Sequence, residues 1–135
     1  MINKIVFYIK KYENVLLYLI FGVLTTLVNF VTYYICYTKF HWINLASNTV
    51  AWILSVMFAF ITNKIWVFKN SKRDVASIIK FYLTYLSTWL LSALLLYIWI
   101  EKIEISDKIA PIINIFITTP INYLMNKFWV FKRKK

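Results

Sequence analysis

The chain has 135 residues, of which 61% are hydrophobic and 20% aromatic, and its mean hydropathy is +0.66. A soluble domain of this size is nearer ~45–50% apolar and has no interior that could hide the excess, so the bilayer is the solvent for much of the chain. The net charge is +11, and because the cations border apolar runs it points to anionic lipid headgroups or a phosphorylated lipid, and away from nucleic acid.

In chain order, Ile2, Ile5, Val6 and Ile9 come first, at helical spacing and beside Lys4, Lys10 and Lys11. They predict either a short helix on the membrane surface or a frayed terminus. The uncharged stretch 14–38 is too long for the core of a cleaved signal and lacks a small-residue cleavage pattern. Charged residues then mark out four apolar blocks, with predicted spans at 15–37, 42–63, 81–100 and 109–126. At about 1.5 Å per residue each reaches roughly the 30 Å hydrocarbon thickness, and helix is required because open strands leave backbone groups unpaired in lipid. Val75, Ile78 and Ile79 form either a second surface stretch or an ordinary loop, and Ser71-x-x-Asp74 could cap the helix that follows. Pro111 falls in the first turn of the fourth span, where it is tolerated. Pro120 sits mid-span and predicts a kink that frees the carbonyl of Phe116.

Direction follows from Lys and Arg. Thirteen of them (Lys4, Lys10, Lys11, Lys64, Lys69, Lys72, Arg73, Lys80, Lys127, Lys132, Arg133, Lys134 and Lys135) lie on one side of the four spans, against Lys39, Lys102 and Lys108 on the other. The positive-inside rule places both termini in the cytoplasm.

A phrase is said twice. Asn63-Lys64-Ile65-Trp66-Val67-Phe68-Lys69 returns 63 residues later as Asn126-Lys127-Phe128-Trp129-Val130-Phe131-Lys132. The same offset aligns Thr25 with Thr88, Leu27 with Leu90, Tyr34-Ile35 with Tyr97-Ile98 and Lys39 with Lys102. The expected fold is an all-α membrane protein: four transmembrane helices as two tandem parallel-repeat hairpins, residues 12–69 and 75–132, in a single domain 1–135. Repeats of this kind often place a substrate site at their interface.

Polar residues inside the spans form stripes. Thr and Ser at spacings of three, four and seven read chiefly as close-packing surfaces. Asn29, Asn114 and Asn122 are the candidates for a polar seam past a hydrophilic headgroup, because a buried amide needs partners; interhelical bonding is the competing reading. No Asp, Glu, Lys, Arg or His lies in the middle of a span, which argues against ion-coupled export. No nucleophile has a matching base, so no catalytic residue and no enzyme activity are expected. One cysteine, Cys36, and one histidine exclude an internal disulfide and a His cluster, so neither cofactor nor metal is expected.

The repeated phrase has two readings as well. Trp66 and Trp129 flanked by lysines suit a lipid-anchoring belt. The pairs Asn63-Lys64 and Asn126-Lys127 also suit a phosphate beside a sugar hydroxyl, with each Trp as a flat face for the ring.

The phrase, together with Phe21-Gly22-Val23-Leu24-Thr25-Thr26, Ala46, Phe60-Ile61-Thr62 ahead of the first copy and Asn122-Tyr123-Leu124-Met125 ahead of the second, resembles the GtrA-like family of small four-span bacterial membrane proteins. The resemblance covers residues 12–132, although this chain has a single glycine where family members often have more. It implies a part in cell-surface polysaccharide synthesis: moving a sugar on a polyprenyl phosphate, such as undecaprenyl-phosphate glucose, across the cytoplasmic membrane. It also makes Asn63, Lys64, Trp66, Asn126, Lys127 and Trp129 candidate headgroup contacts. Expected partners are that lipid, anionic lipids, a membrane glycosyltransferase and further copies of the chain. The rival functions are an adaptor that holds a glycosyltransferase at the membrane and, less favoured, a small multidrug exporter, which needs a deep acidic residue this chain lacks.

Overall fold

The computed structural model describes residues 1–69, 71 and 74–132. Lys72, Arg73, Arg133, Lys134 and Lys135, which enter the charge bias above, lie outside the described residues. The described residues are almost wholly helical: α1 (Ile2–Lys11), α2 (Glu13–Tyr34), α3 (Asn44–Thr62), α4 (Val75–Tyr97) and α5 (Ala110–Met125).

α2 through α5 each run straight into a five-residue π-helical turn: Ile35–Lys39, Asn63–Val67, Ile98–Lys102 and Asn126–Val130. Counted with these turns, Glu13–Lys39, Asn44–Val67 and Val75–Lys102 are long and apolar enough to cross a membrane. α5, where the sequence predicts the fourth span, has 16 residues and carries Asn114, Thr118, Thr119, Pro120 and Asn122.

Local sequence explains the boundaries. α1 and α2 are separated by Tyr12, whose φ of −108° and ψ of 15° leave the helical region. Glu13 then opens α2, where a carboxylate complements the helix dipole. α4 starts at Val75, earlier than predicted, so Val75, Ile78 and Ile79 form its first turns and no separate surface stretch precedes it. Its cap also differs from the expectation. The Asp74 carboxylate accepts from the Ser77 amide at 2.9 Å and from the Ser77 hydroxyl, so Asp74 closes the N-terminus without Ser71. α5 tolerates Pro111 in its first turn and continues through Pro120.

The chain divides into two compact units, Met1–Asn70 and Ser71–Lys135. In the first, α2 and α3 pack on each other; in the second, α4 and α5 do so. Details recur between them at an offset of 63 (35 to 98, 63 to 126) in the starts of the π turns. After the first turn of each pair, Phe40 N–H donates to Ile35 and Trp42 N–H to Cys36; the counterparts are Ile103 to Ile98 and Ile105 to Trp99. A left-handed residue completes each cap, His41 at φ 51° and Glu104 at φ 60°. These are widened versions of the left-handed helix cap, built here without glycine.

Most hydroxyls in the stripes are spent on their own helix. Thr25 donates to the Phe21 carbonyl at 2.7 Å, Thr62 to Phe58 at 2.9 Å, Thr84 to Lys80 at 2.9 Å and Thr118 to Asn114 at 2.9 Å. A hydroxyl bonded one turn back presents little more bulk than a methyl group, which suits helix–helix approach.

Candidate functional site

In the first unit, Asn63 opens the π turn at the end of α3 and is 2% exposed. Its Nδ2 donates to the Ala59 carbonyl at 2.7 Å. A carbonyl only accepts, so this bond fixes which way the amide faces, and Oδ1 is an enclosed acceptor with no donor among the described residues. The Phe68 N–H reaches back five residues to the Asn63 carbonyl at 2.7 Å. The wide turn carries Val67 and Phe68 inward while Ile65 and Trp66 face out and Lys64 is half-buried. The Lys64 ammonium lies 5.3 Å from the centre of the Phe60 ring, and Trp66 stacks on Phe21 at 5.3 Å and 27°. Lys69, at the end of the phrase, reaches Glu13 at 3.9 Å with both side chains more than half exposed.

The second unit presents the same order. Asn126 is fully buried and opens a π turn closed by Phe131 N–H on the Asn126 carbonyl at 2.8 Å. Val130 and Phe131 point inward, and Phe131 meets the fully buried Phe81 edge to face at 5.6 Å. Lys127, Phe128 and Trp129 are exposed, with the Lys127 ammonium 5.4 Å from the Phe128 ring.

The three mid-span asparagines each bridge two helices within one unit. Asn29 of α2 donates to Ser55 Oγ of α3 at 3.3 Å. Asn114 of α5 donates to both the hydroxyl (2.6 Å) and the carbonyl (3.1 Å) of Ser92 on α4. The carbonyl bond again fixes the amide, leaving Asn114 Oδ1 buried with no donor among the described residues. Asn122 Oδ1 lies 3.4 Å from the Thr88 hydroxyl, and Asn122 also shares a hydrogen bond with Tyr85. Asn63, Lys64 and Trp66 thus share one turn, as do Asn126, Lys127 and Trp129. The mid-span amides are spread along the helices: Asn122 is one turn from Asn126, but Asn114 is about 18 Å away at ~1.5 Å per residue.

Residues 17–131, which hold the first copy of the phrase and all but the last residue of the second, match the GtrA/DPMS transmembrane domain family. The chain belongs to that family. It is 37% identical to the cell wall teichoic acid glycosylation protein GtcA of Listeria monocytogenes serovar 1/2a, over 99% of this chain and 95% of that protein. The GtcA protein of Listeria innocua serovar 6a is 34% identical over 100% of this chain and 96% of its own length. The membrane protein YwcD of Bacillus subtilis is 33% identical over 88% of this chain and 97% of its own length. Like its family, the chain is a membrane protein of the cell envelope.

Three neighbours of the candidate residues escape sequence reasoning. Tyr85 reads as one more aromatic, though its spacing of three from Thr88 puts it on the polar stripe. Phe21, read only as part of the family-like segment, and Glu13 carry no sign of their contacts, since their partners Trp66 and Lys69 lie more than forty residues away. No cluster of three or more His, Cys, Asp or Glu that could hold a metal occurs among the described residues.

Proposed function

We propose that this GtrA/DPMS-family protein moves a polyprenyl-phosphate-linked monosaccharide across the cytoplasmic membrane, for glycosylation of a cell-surface polymer such as teichoic acid. One observation carries the reading: in each unit a Lys (Lys64 half-buried, Lys127 exposed) and an exposed Trp stand beside a buried Asn on the same helix-ending turn. The chemistry divides accordingly. Lys64 and Lys127 attract the phosphate. Trp66 and Trp129 offer faces to the sugar ring. Asn63 and Asn114 present acceptor oxygens, which repel a phosphate and receive hydrogen bonds from sugar hydroxyls. These oxygens are enclosed, so the sugar reaches them only when the helices of a unit part. Asn29, Asn122 and Asn126 complete the proposed headgroup contacts.

The proposed frame is four spans, with α5 as the fourth, in two tandem parallel hairpins whose termini are cytoplasmic. The recurrence of π turns and left-handed caps at an offset of 63 supports it. A four-helix chain is thin for a pathway, so we infer a homo-oligomer working beside a membrane glycosyltransferase. The relatives named for teichoic acid glycosylation support the cell-wall destination. The test is the pure protein in liposomes holding a labelled polyprenyl-phosphate sugar. Accelerated crossing is expected; crossing at the protein-free rate removes the proposal.

The names of the relatives fit an adaptor equally well, because glycosylation also fails when a glycosyltransferase loses its anchor. Lys64→Gln combined with Lys127→Gln separates the two. A translocase loses surface glycosylation with protein level and enzyme pairing intact. An adaptor loses the pairing itself.

A further inference from the structure

We propose that α1 lies in the plane of an anionic leaflet, with its apolar face in the lipid and its lysines among the headgroups. The helix is formed over Ile2–Lys11, yet none of its residues is buried. Ile2, Ile5, Val6 and Ile9 recur at positions that share one helix face and are all exposed, Ile2 by 77%. Lys4 and Lys11 lie opposite that face and Lys10 at its edge, and no acid occurs within the helix to offset them. An apolar face with uncompensated cations behind it complements an anionic lipid surface and does not suit water.

Position supplies the second argument. A single residue, Tyr12, separates α1 from α2, the first apolar span. α1 therefore begins its course where that span meets the headgroups, and Tyr12 between them departs from helical dihedrals (φ −108°, ψ 15°) while its N–H still bonds Tyr8 and its carbonyl still accepts from Leu16. The root of α1 is also tied to the repeated phrase, since Glu13 pairs with Lys69 at 3.9 Å. Lys10, Lys11, Lys64 and Lys69 thus belong to one end of the first unit, and lipid held by α1 is held beside the phrase. The second unit has no such helix among its described residues, because α4 starts directly after its Asp74 cap. This proposal rests on membrane residence alone and stands whether or not the chain moves a sugar.

The test uses the full chain with Cys36→Ser and one new cysteine, Ile5→Cys or Asn3→Cys, two positions on opposite sides of a helix. Each is reconstituted in phosphatidylcholine vesicles with or without phosphatidylglycerol and treated with a water-soluble maleimide. In phosphatidylglycerol vesicles, Ile5→Cys is expected to label about tenfold more slowly than Asn3→Cys, a difference that shrinks in neutral vesicles, at high salt, or with Lys4, Lys10 and Lys11 changed to Gln. Equal labelling of the two positions in anionic vesicles overturns the proposal. Protection unaffected by lipid charge overturns its electrostatic part. Protection seen in native membranes and absent from vesicles assigns the face to a protein and overturns it as well.

Discussion

Asn114 is the position where stability and function should come apart. Its amide donates two hydrogen bonds to Ser92 across α4 and α5, and its oxygen is buried with no donor among the described residues. Interhelical bonds in membrane proteins contribute ~0.6 kcal/mol on average and up to ~1.7, so the two donated bonds supply about 1–3 kcal/mol. An unsatisfied buried oxygen costs about 1–3 kcal/mol. Asn114→Leu removes both at nearly constant shape, and the Ser92 hydroxyl, which only accepts from Asn114, still has its own proton for a carbonyl of its helix, as the neighbouring threonines do. Stability in mixed micelles, followed by circular dichroism during titration with dodecyl sulfate, is expected to change by no more than about 1 kcal/mol. Surface glycosylation in cells is expected to fall sharply at normal protein level. Destabilisation beyond about 2 kcal/mol would show that the oxygen is not a liability in the fold and would refute the reasoning. Unchanged glycosylation would take Asn114 out of the sugar route.

Phe81 has no exposure and packs edge to face on Phe131, so Phe81→Ala should cost about 3 kcal/mol in the same titration. Glu13→Gln should change stability by less than about 0.5 kcal/mol, because its pair with Lys69 is long and more than half exposed on both sides; a larger effect would mean the pair is held by more than charge. His41 and Glu104 adopt left-handed conformations that disfavour a side chain by roughly 1–2 kcal/mol, against a glycine entropy of about 0.5–1. His41→Gly and Glu104→Gly should therefore each stabilise the protein by up to about 1 kcal/mol, measured the same way, and a loss would place a contact of the native side chain above the backbone term.

Much of this was legible in the residues because lipid imposes a simple code. Apolar length gives the helices, and the charges between them give their limits to within a few residues at α2, α3 and α5. α4 starts early because Asp74 and Ser77 form a cap that outweighs the charge of Lys80, and hydropathy does not register caps. The hydroxyl stripes, expected to be chiefly packing surfaces, spend most of their hydroxyls on the carbonyl one turn back. Amides cannot satisfy both ends that way, so Asn29, Asn114 and Asn122 stood out and do bridge helices. The π turns were not legible. They depend on a shift of one residue in backbone pairing, and no side-chain periodicity records it. Tyr85, Phe21 and Glu13 were missed because each acts through a partner distant in sequence.

The turn gives Asn63 a structural part that belt chemistry does not. Its Nδ2 donates to the Ala59 carbonyl one turn back, which also accepts from the Asn63 backbone N–H, so the side chain is pinned where the helix widens. Aspartate has no proton to give at neutral pH, and glutamine is a methylene longer, so the position selects for asparagine itself. The same bond turns the amide oxygen away from the carbonyl and leaves it as an acceptor, while the extra residue in the turn rotates tryptophan to the outside and lysine at least part-way. An anchor requires only that cations and aromatics lie at headgroup depth, in any order. An order that begins with a buried amide, continues with an outward cation and aromatic, and closes on an inward Val-Phe pair serves a turn whose two sides have different tasks. Val67 and Phe68, like Val130 and Phe131, hold the turn against its own unit, which fixes the direction in which Lys64 and Lys127 project. On the proposed reading, a phosphate on a mobile lipid gains most from lysines held in place, because disordered lysines lose in entropy much of what they gain in attraction.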